Sequence, residues 1–172
     1  MFLTAAQLAV LKVDIIADPV LNAKPQTADG AFDIAIAYNL VAVPDFWVWR
    51  TSVTKDELVG TTSVDGTVFN WTGTGFITRA QGERDAWREL FSGEGSVNPS
   101  LPQVRQAFLD IFSGGTAPAP ANRTHLATVA RRKASRVEKL FATGIGSTGS
   151  PGLMAFEGLL GYQDVLNARA LP

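Results

Sequence analysis

Apolar residues recur at helical spacing in one segment after another of this chain, and a glycine or proline interrupts each segment before it grows long. That punctuation allows amphipathic helices of ordinary length. It leaves no uninterrupted apolar stretch near the ~20 residues that a membrane span requires. Thr4 stands as an N-cap with Gln7 three residues on, the spacing of a capping box. Leu8, Leu11 and Ile15 follow at helical spacing, with Val10 and Val13 beside them, and Pro19 ends the run. A second helix is expected from about Asp29 to Asn39, with Phe32, Ile36 and Tyr38 for packing, although Gly30 weakens its start. A third, from about Thr74 to Phe91, puts Phe76, Ala80, Trp87 and Phe91 on one face. Arg79, Glu83, Arg84, Asp85, Arg88 and Glu89 cover much of the rest, and cross-pairs such as Asp85 with Arg88 balance the like charges.

Ser100 caps a further helix with Pro102 in its first turn, and Val104, Ala107, Phe108, Ile111 and Phe112 form its apolar face up to Gly114-Gly115. Residues 114–121 read as a short semi-rigid linker. Asn122 then caps a long helix to about Thr143, striped by Leu126, Val129, Ala130, Val137, Leu140 and Phe141. The middle of the chain differs. Phe46-Trp47-Val48-Trp49-Arg50-Thr51 suits an extended strand, or a short helix after Pro44-Asp45. Thr54 and Glu57 repeat the capping-box spacing. Thr61 to Phe69, with Asp65-Gly66 at its centre, reads as a β-hairpin with a type I′ turn, and otherwise as an irregular loop. The expected fold is mainly α: a helical bundle with a small central β-hairpin insertion and an extended C-terminal arm. Its parts are a body over 1–143 with the insertion at about 46–72, a flexible hinge over 144–152 rich in glycine and serine, and an arm over 153–172.

Composition narrows the function. The 172 residues suit one domain, and 46% hydrophobic content supplies a core. Charged residues are 18%, below the ~25% usual for globular chains, so some surface is open to cover by partner subunits. A small Ala-rich monomer is the plainer alternative. A net charge of −1 gives no global pull toward nucleic acid. The absence of cysteine excludes disulfides, thiol chemistry and cysteine-ligated metal. Met1-Phe2-Leu3-Thr4 has no basic region of the kind that opens a signal peptide, and synthesis in the cytosol fits.

No catalytic, cofactor or metal residues are expected. Gly144, Gly146 and Gly149 match a dinucleotide fingerprint in spacing, but a helix precedes them and none clearly follows. His125 is the only histidine, without an assignable nucleophile or orienting acid, and reads as a helix-surface residue. Glu83, Asp85 and Glu89 sit among arginines and read as a solvated or intersubunit face. No Walker-A loop and no Gly-x-Ser-x-Gly elbow occurs. The strongest local charge signal is Arg131-Arg132-Lys133 with Arg136 and Lys139. On one helix it would touch phosphates of channel DNA or acids of a partner, or else be an ordinary solvated face. Trp47 and Trp49, facing one way if extended, are candidate interface aromatics. Leu153, Met154, Phe156, Leu159 and Leu160 are the candidate assembly arm.

Several blocks carry a resemblance: Phe46 to Thr51, Gln81-Gly82-Glu83-Arg84-Asp85-Ala86-Trp87-Arg88-Glu89-Leu90-Phe91, Asn98-Pro99-Ser100-Leu101 through Phe112, and Arg131-Arg132-Lys133-Ala134 through Thr143. Together they resemble small structural proteins of tailed bacteriophages and prophages, over nearly the whole chain. The order of elements is similar to that of head-to-tail adaptor (connector) proteins. The resemblance implies a non-enzymatic virion protein of the tail neck, made in the host cytoplasm. It implies a homo-oligomeric ring, commonly a dodecamer, beneath the portal protein and around the DNA channel. Portal and tail or nozzle proteins would be its partners, with no membrane contact. A tail-completion or capsid-accessory protein, and a small DNA-binding or packaging-associated protein, are the other readings. No catalytic motif exists in that family to carry over. A glycine-hinged apolar arm suits strand addition to a neighbour.

Overall fold

The computed structural model describes residues 3–71, 75–93, 95–116 and 118–172. In chain order the elements are α1 (Ala5–Ala17), α2 (Pro19–Asn22), α3 (Ala28–Asn39), β1 (Trp47–Trp49), β2 (Val53–Thr54), α4 (Lys55–Gly60) and α5 (Gln81–Leu90). They continue as β3 (Ser96–Val97), α6 (Pro102–Ile111), α7 (Ala119–Val129), β4 (Arg131–Lys133), α8 (Arg136–Phe141), β5 (Ala142–Thr143), β6 (Leu153–Met154) and α9 (Tyr162–Ala170). The chain is mainly α with short strands. It divides into two compact units, Met1–Val48 with Lys133–Pro172, and Trp49–Arg132. This differs from a body, hinge and arm.

In the first unit, Thr4 Oγ1 accepts the Gln7 N–H at 3.3 Å and Gln7 Oε1 accepts the Thr4 N–H at 2.9 Å, so the capping box starts α1. Asp18 ends α1, and its carboxylate accepts the Val20 and Leu21 N–H groups that open α2. Gly30 permits a close approach, because a Cβ there would lie 2.1 Å from the Pro25 carbonyl oxygen. Leu11, Ile15, Ile34, Tyr38, Val137 and Phe141 form the core, together with Phe156, Leu160, Val165 and Ala168. The C-terminal segment is therefore no free arm. Residues 162–170 form α9, which packs on α1 and α3, and Asp164 Oδ1 accepts the Leu3 N–H at 3.1 Å.

The expected hinge is also closed. β5 and β6 pair antiparallel, with Ala142 opposite Met154. The Phe46 ring fills the space left by two missing side chains: a Cβ on Gly146 would lie 2.1 Å from it, and one on Gly152 2.8 Å. Trp47 N–H donates to Gly146 O at 2.7 Å, and Gly152 N–H donates to Trp47 O at 2.8 Å. These glycines admit a ring and a neighbouring backbone.

The long helix expected from Asn122 to Thr143 is two helices with a strand between them. α7 starts at Ala119, with Asn122 inside it, and ends at Val129. α8 restarts from Ser135, whose Oγ accepts the Glu138 N–H while Glu138 Oε2 accepts the Ser135 N–H. Between them, Ala134 N–H donates to Phe46 O at 2.8 Å and Ala42 N–H donates to Ala134 O at 3.0 Å.

In the second unit, β2 pairs antiparallel with β3, Val53 opposite Val97. The Thr54 and Glu57 capping box opens α4 as the spacing predicts. The helix expected over 74–91 is shorter: α5 begins at Gln81, where Glu83 accepts the Ala80 N–H at 3.0 Å and pairs with Arg79. Thr74 lies outside the described residues. α6 begins after Leu101, one residue later than a Ser100 cap predicts. Trp87, Phe69, Phe91, Phe108 and Phe112 fill this core with Leu58, Ile111 and Leu126. No strand forms over Thr61–Phe69. The expected type I′ turn does not form either: Gly66 has φ +75° but Asp65 has no positive φ, and the Gly66 N–H donates to Ser63 O at 2.9 Å, which centres the turn on Val64-Asp65. Helix α7, rather than a second strand, takes up the loop's polar groups.

Candidate interaction surface

The five cations of the basic cluster do not share a helix face. Arg131, Arg132 and Lys133 lie on β4, whereas Arg136 and Lys139 lie on α8. In the second unit, Arg131 Nη2 is 3.1 Å from Asp65 Oδ2, and Arg132 is half-buried. In the first unit, Lys133 pairs with Asp45 at 2.7 Å. Arg136 bridges Asp14 at 3.0 Å and Asp18 at 2.9 Å, and its guanidinium lies 4.5 Å from the Tyr38 ring centroid. Lys139 Nζ donates to the Pro44 carbonyl at 3.3 Å.

The Arg136 network has a consistent electrostatic sense. Donation from Arg136, and from the Leu21 and Val20 N–H groups, holds the Asp18 carboxyl below its ordinary range. Burial alone would lower the Arg136 pKa, but Asp18 and Asp14 raise it. Burial, and then O–H donation to Asp14 at 2.5 Å, raise Tyr38 far above its ordinary value, so its phenol stays a donor. A depressed carboxyl stabilises the fold above its unfolded pKa, and that contribution is lost as pH falls through the folded pKa. Urea midpoints are therefore expected to be flat at neutral pH and to fall below about pH 4. Asp18→Asn should lower the midpoint at neutral pH and remove part of the acid fall. An unchanged acid limb in a urea–pH series would count against the Asp18–Arg136 bond.

Trp47 and Trp49 are both half-buried on β1, flanking a fully buried Val48. In the first unit the Lys133 ammonium lies 5.9 Å from the Trp47 ring, and in the second the Arg105 guanidinium lies 4.9 Å from the Trp49 ring. Of the expected arm residues, Phe156 and Leu160 are buried in the first unit's core, Met154 is half-buried, and Leu153 and Leu159 are exposed.

His125 is fully buried, not on a helix surface. Its Nε2 is 2.8 Å from Leu58 O, and a carbonyl only accepts, so Nε2 carries a proton. Thr67 Oγ1 lies 3.1 Å from Nδ1 and 2.6 Å from Ser63 Oγ, which continues the chain of hydroxyls. Asn122 Oδ1 accepts the Asn70 N–H at 2.8 Å, and its Nδ2 donates to Asn70 O and Gly75 O. These two side chains hold the loop that a hairpin reading assigns to a ladder. Their spacing carried the signal: residues 122, 125, 126 and 129 fall on one helix stripe.

The first unit leaves several large apolar side chains exposed. Helix α1 buries Leu11 and Ile15, yet it exposes Val10, Val13 (68%) and Ile16 (53%) on the other side. Phe32, Ile36 and Leu40 repeat this at four-residue intervals along α3 and its C-cap. A groove of about 680 Å³ runs past Leu40, Val41, Val43, Leu140, Arg136 and Lys139. A second depression, lined by Val10, Val13 and Ala17, shares Asp14 and Leu140 with it. No cluster of three metal-ligating side chains occurs among the described residues, and no helix among them is long and apolar enough to cross a membrane. No family model, curated protein or solved structure matches the chain.

Proposed function

We propose that this chain is a virion structural protein, the subunit of a ring-shaped head-to-tail adaptor that joins the portal to the tail around the DNA channel. The observation that carries the reading is α1, a helix apolar on both faces with only one of them covered. Large apolar side chains aligned on the outer face of a helix call for cover. In a ring, a heterologous side-to-side contact supplies the missing cover. The resemblance of the sequence blocks to phage structural proteins points the same way, and the first unit's helices would then serve as a bundle with one face against a neighbour. The ion pairs of Arg131, Lys133 and Arg136 take up cations that a DNA-binding role would need.

Negative-stain microscopy and light scattering of the purified chain, alone and mixed with portal, test this. Rings or a portal-bound complex are expected. Val13→Asp with Ile16→Asp should abolish them and leave helicity unchanged, because both side chains are already exposed in the subunit. A chain that stays monomeric at all concentrations and ignores portal would overturn the proposal.

A further inference from the structure

Beyond the ring, the first unit carries, at an isolated β-bridge, a backbone edge with no partner among the described residues. After α3, Leu40 is extended at φ −70° and ψ 156°. Val41 faces Ser135 in an antiparallel bridge, and Arg136 N–H donates to Leu40 O at 2.9 Å while Ala42 N–H donates to Ala134 O at 3.0 Å. In such a pairing the groups of alternate residues point to the opposite side. Those are the N–H and C=O of Val41, and neither has a hydrogen bond among the described residues; nor has the N–H of Val43. The edge is not covered by side chains either, since Val41 is 54% exposed and Val43 92%. An open, apolar edge is a template for another strand.

The groove beside this edge has aliphatic walls, and its charge is uneven. Arg136 is matched by Asp14 and Asp18. Lys139, at the groove wall, has only the Pro44 carbonyl and the Phe46 ring, 6.0 Å away, and no carboxylate among the described residues. We infer that Leu40–Val43 accepts, by strand addition, an extended segment of a partner polypeptide that carries branched aliphatic side chains and one carboxylate for Lys139. Main-chain bonds would supply affinity, and the alternate side chains and the ion pair would supply specificity.

The test uses the full chain and fluorescently labelled, end-blocked short peptides of alternating valine and threonine, with one central aspartate, or lysine in its place. Polarisation titrations should show the aspartate peptide binding ~5-fold or more tightly than the lysine peptide, and Lys139→Glu should reverse the order. Hydrogen exchange at 40–43 should slow when the aspartate peptide is added. A peptide N-methylated along one edge should not bind, because it cannot complete the ladder. Equal binding of the methylated peptide would overturn strand addition. Equal binding of both charge forms would overturn the role of Lys139. Absence of peptide binding, with exchange at 40–43 slowing as protein concentration rises, would assign the edge to a second copy and overturn the partner. Because ring formation is read separately by light scattering, failure here is distinguishable from failure of the ring.

Discussion

Truncation after Gly152 is expected to abolish the cooperative unfolding of the first unit. The lost residues include Phe156, Leu160, Val165 and Ala168, all buried in its core. Full burial of each large apolar side chain contributes about 1.5–3 kcal/mol. Phe156, Leu160 and Val165 together therefore contribute an amount comparable to the whole stability of a domain, roughly 5–15 kcal/mol. Deletion would also uncover α1 and α3 where α9 packs, and would leave the Leu3 N–H without Asp164. Calorimetry decides the matter. A truncated chain that melts near the full-length temperature would put α9 outside the core and restore the idea of a free assembly arm.

Trp87→Ala is expected to destabilise the second unit by about 3–5 kcal/mol, the usual cost of emptying a large aromatic site. The ring is 1% exposed. It stacks on Phe69 at 5.7 Å between centroids and meets Phe91 and Phe112 edge-on at 4.9 and 5.5 Å. Three aromatic neighbours cannot all collapse into one void. The indole Nε1 has no hydrogen-bond partner among the described residues. Trp87→Phe should therefore cost less than the alanine change, since it leaves a smaller cavity and breaks no hydrogen bond. Urea midpoints for both variants provide the check. A shift within experimental noise for Trp87→Ala would move this side chain to the surface.

Features written in neighbouring residues were legible in the sequence. The capping boxes at Thr4 and Thr54 formed as their spacing required, and Trp87 fell on the buried face of its helix. Features decided by distant residues were not. Val137 and Phe141 continue the apolar stripe of Leu126 and Val129 in phase, so the break at Ala130 is hidden from a local pattern. The extended backbone around Phe46 causes it, by claiming the hydrogen bonds of Ala134. One local clue was there: Ser135 and Glu138 have capping-box spacing. The Asp65-Gly66 pair marks a turn, but that turn is centred on Val64-Asp65 and is not of type I′, and the ladder beside it gives way to His125 and Asn122, more than fifty residues on. The basic cluster looked free because the carboxylates that meet it, Asp14, Asp18, Asp45 and Asp65, are all far back in the chain. Glycine spacing was ambiguous in the same way. A hinge and a slot for the Phe46 ring need the same residues, and only the ring's position separates them.

The first unit is assembled from two stretches that lie on either side of the second. During synthesis, residues 49–132 emerge before α8 and α9 do. Domains fold as units on the ribosome once their residues have emerged. The first unit must wait, with α1 and α3 holding half of a core. The apolar outer face of α1 and the open edge at Leu40–Val43 belong to that late-closing unit. The edge itself depends on Ala134 and Arg136, which lie beyond the insertion. A nascent chain therefore lacks its completed docking surface until residues 133–172 have emerged. Connectivity alone builds a delay into the chain, because the edge cannot form before the residues beyond the insertion have emerged.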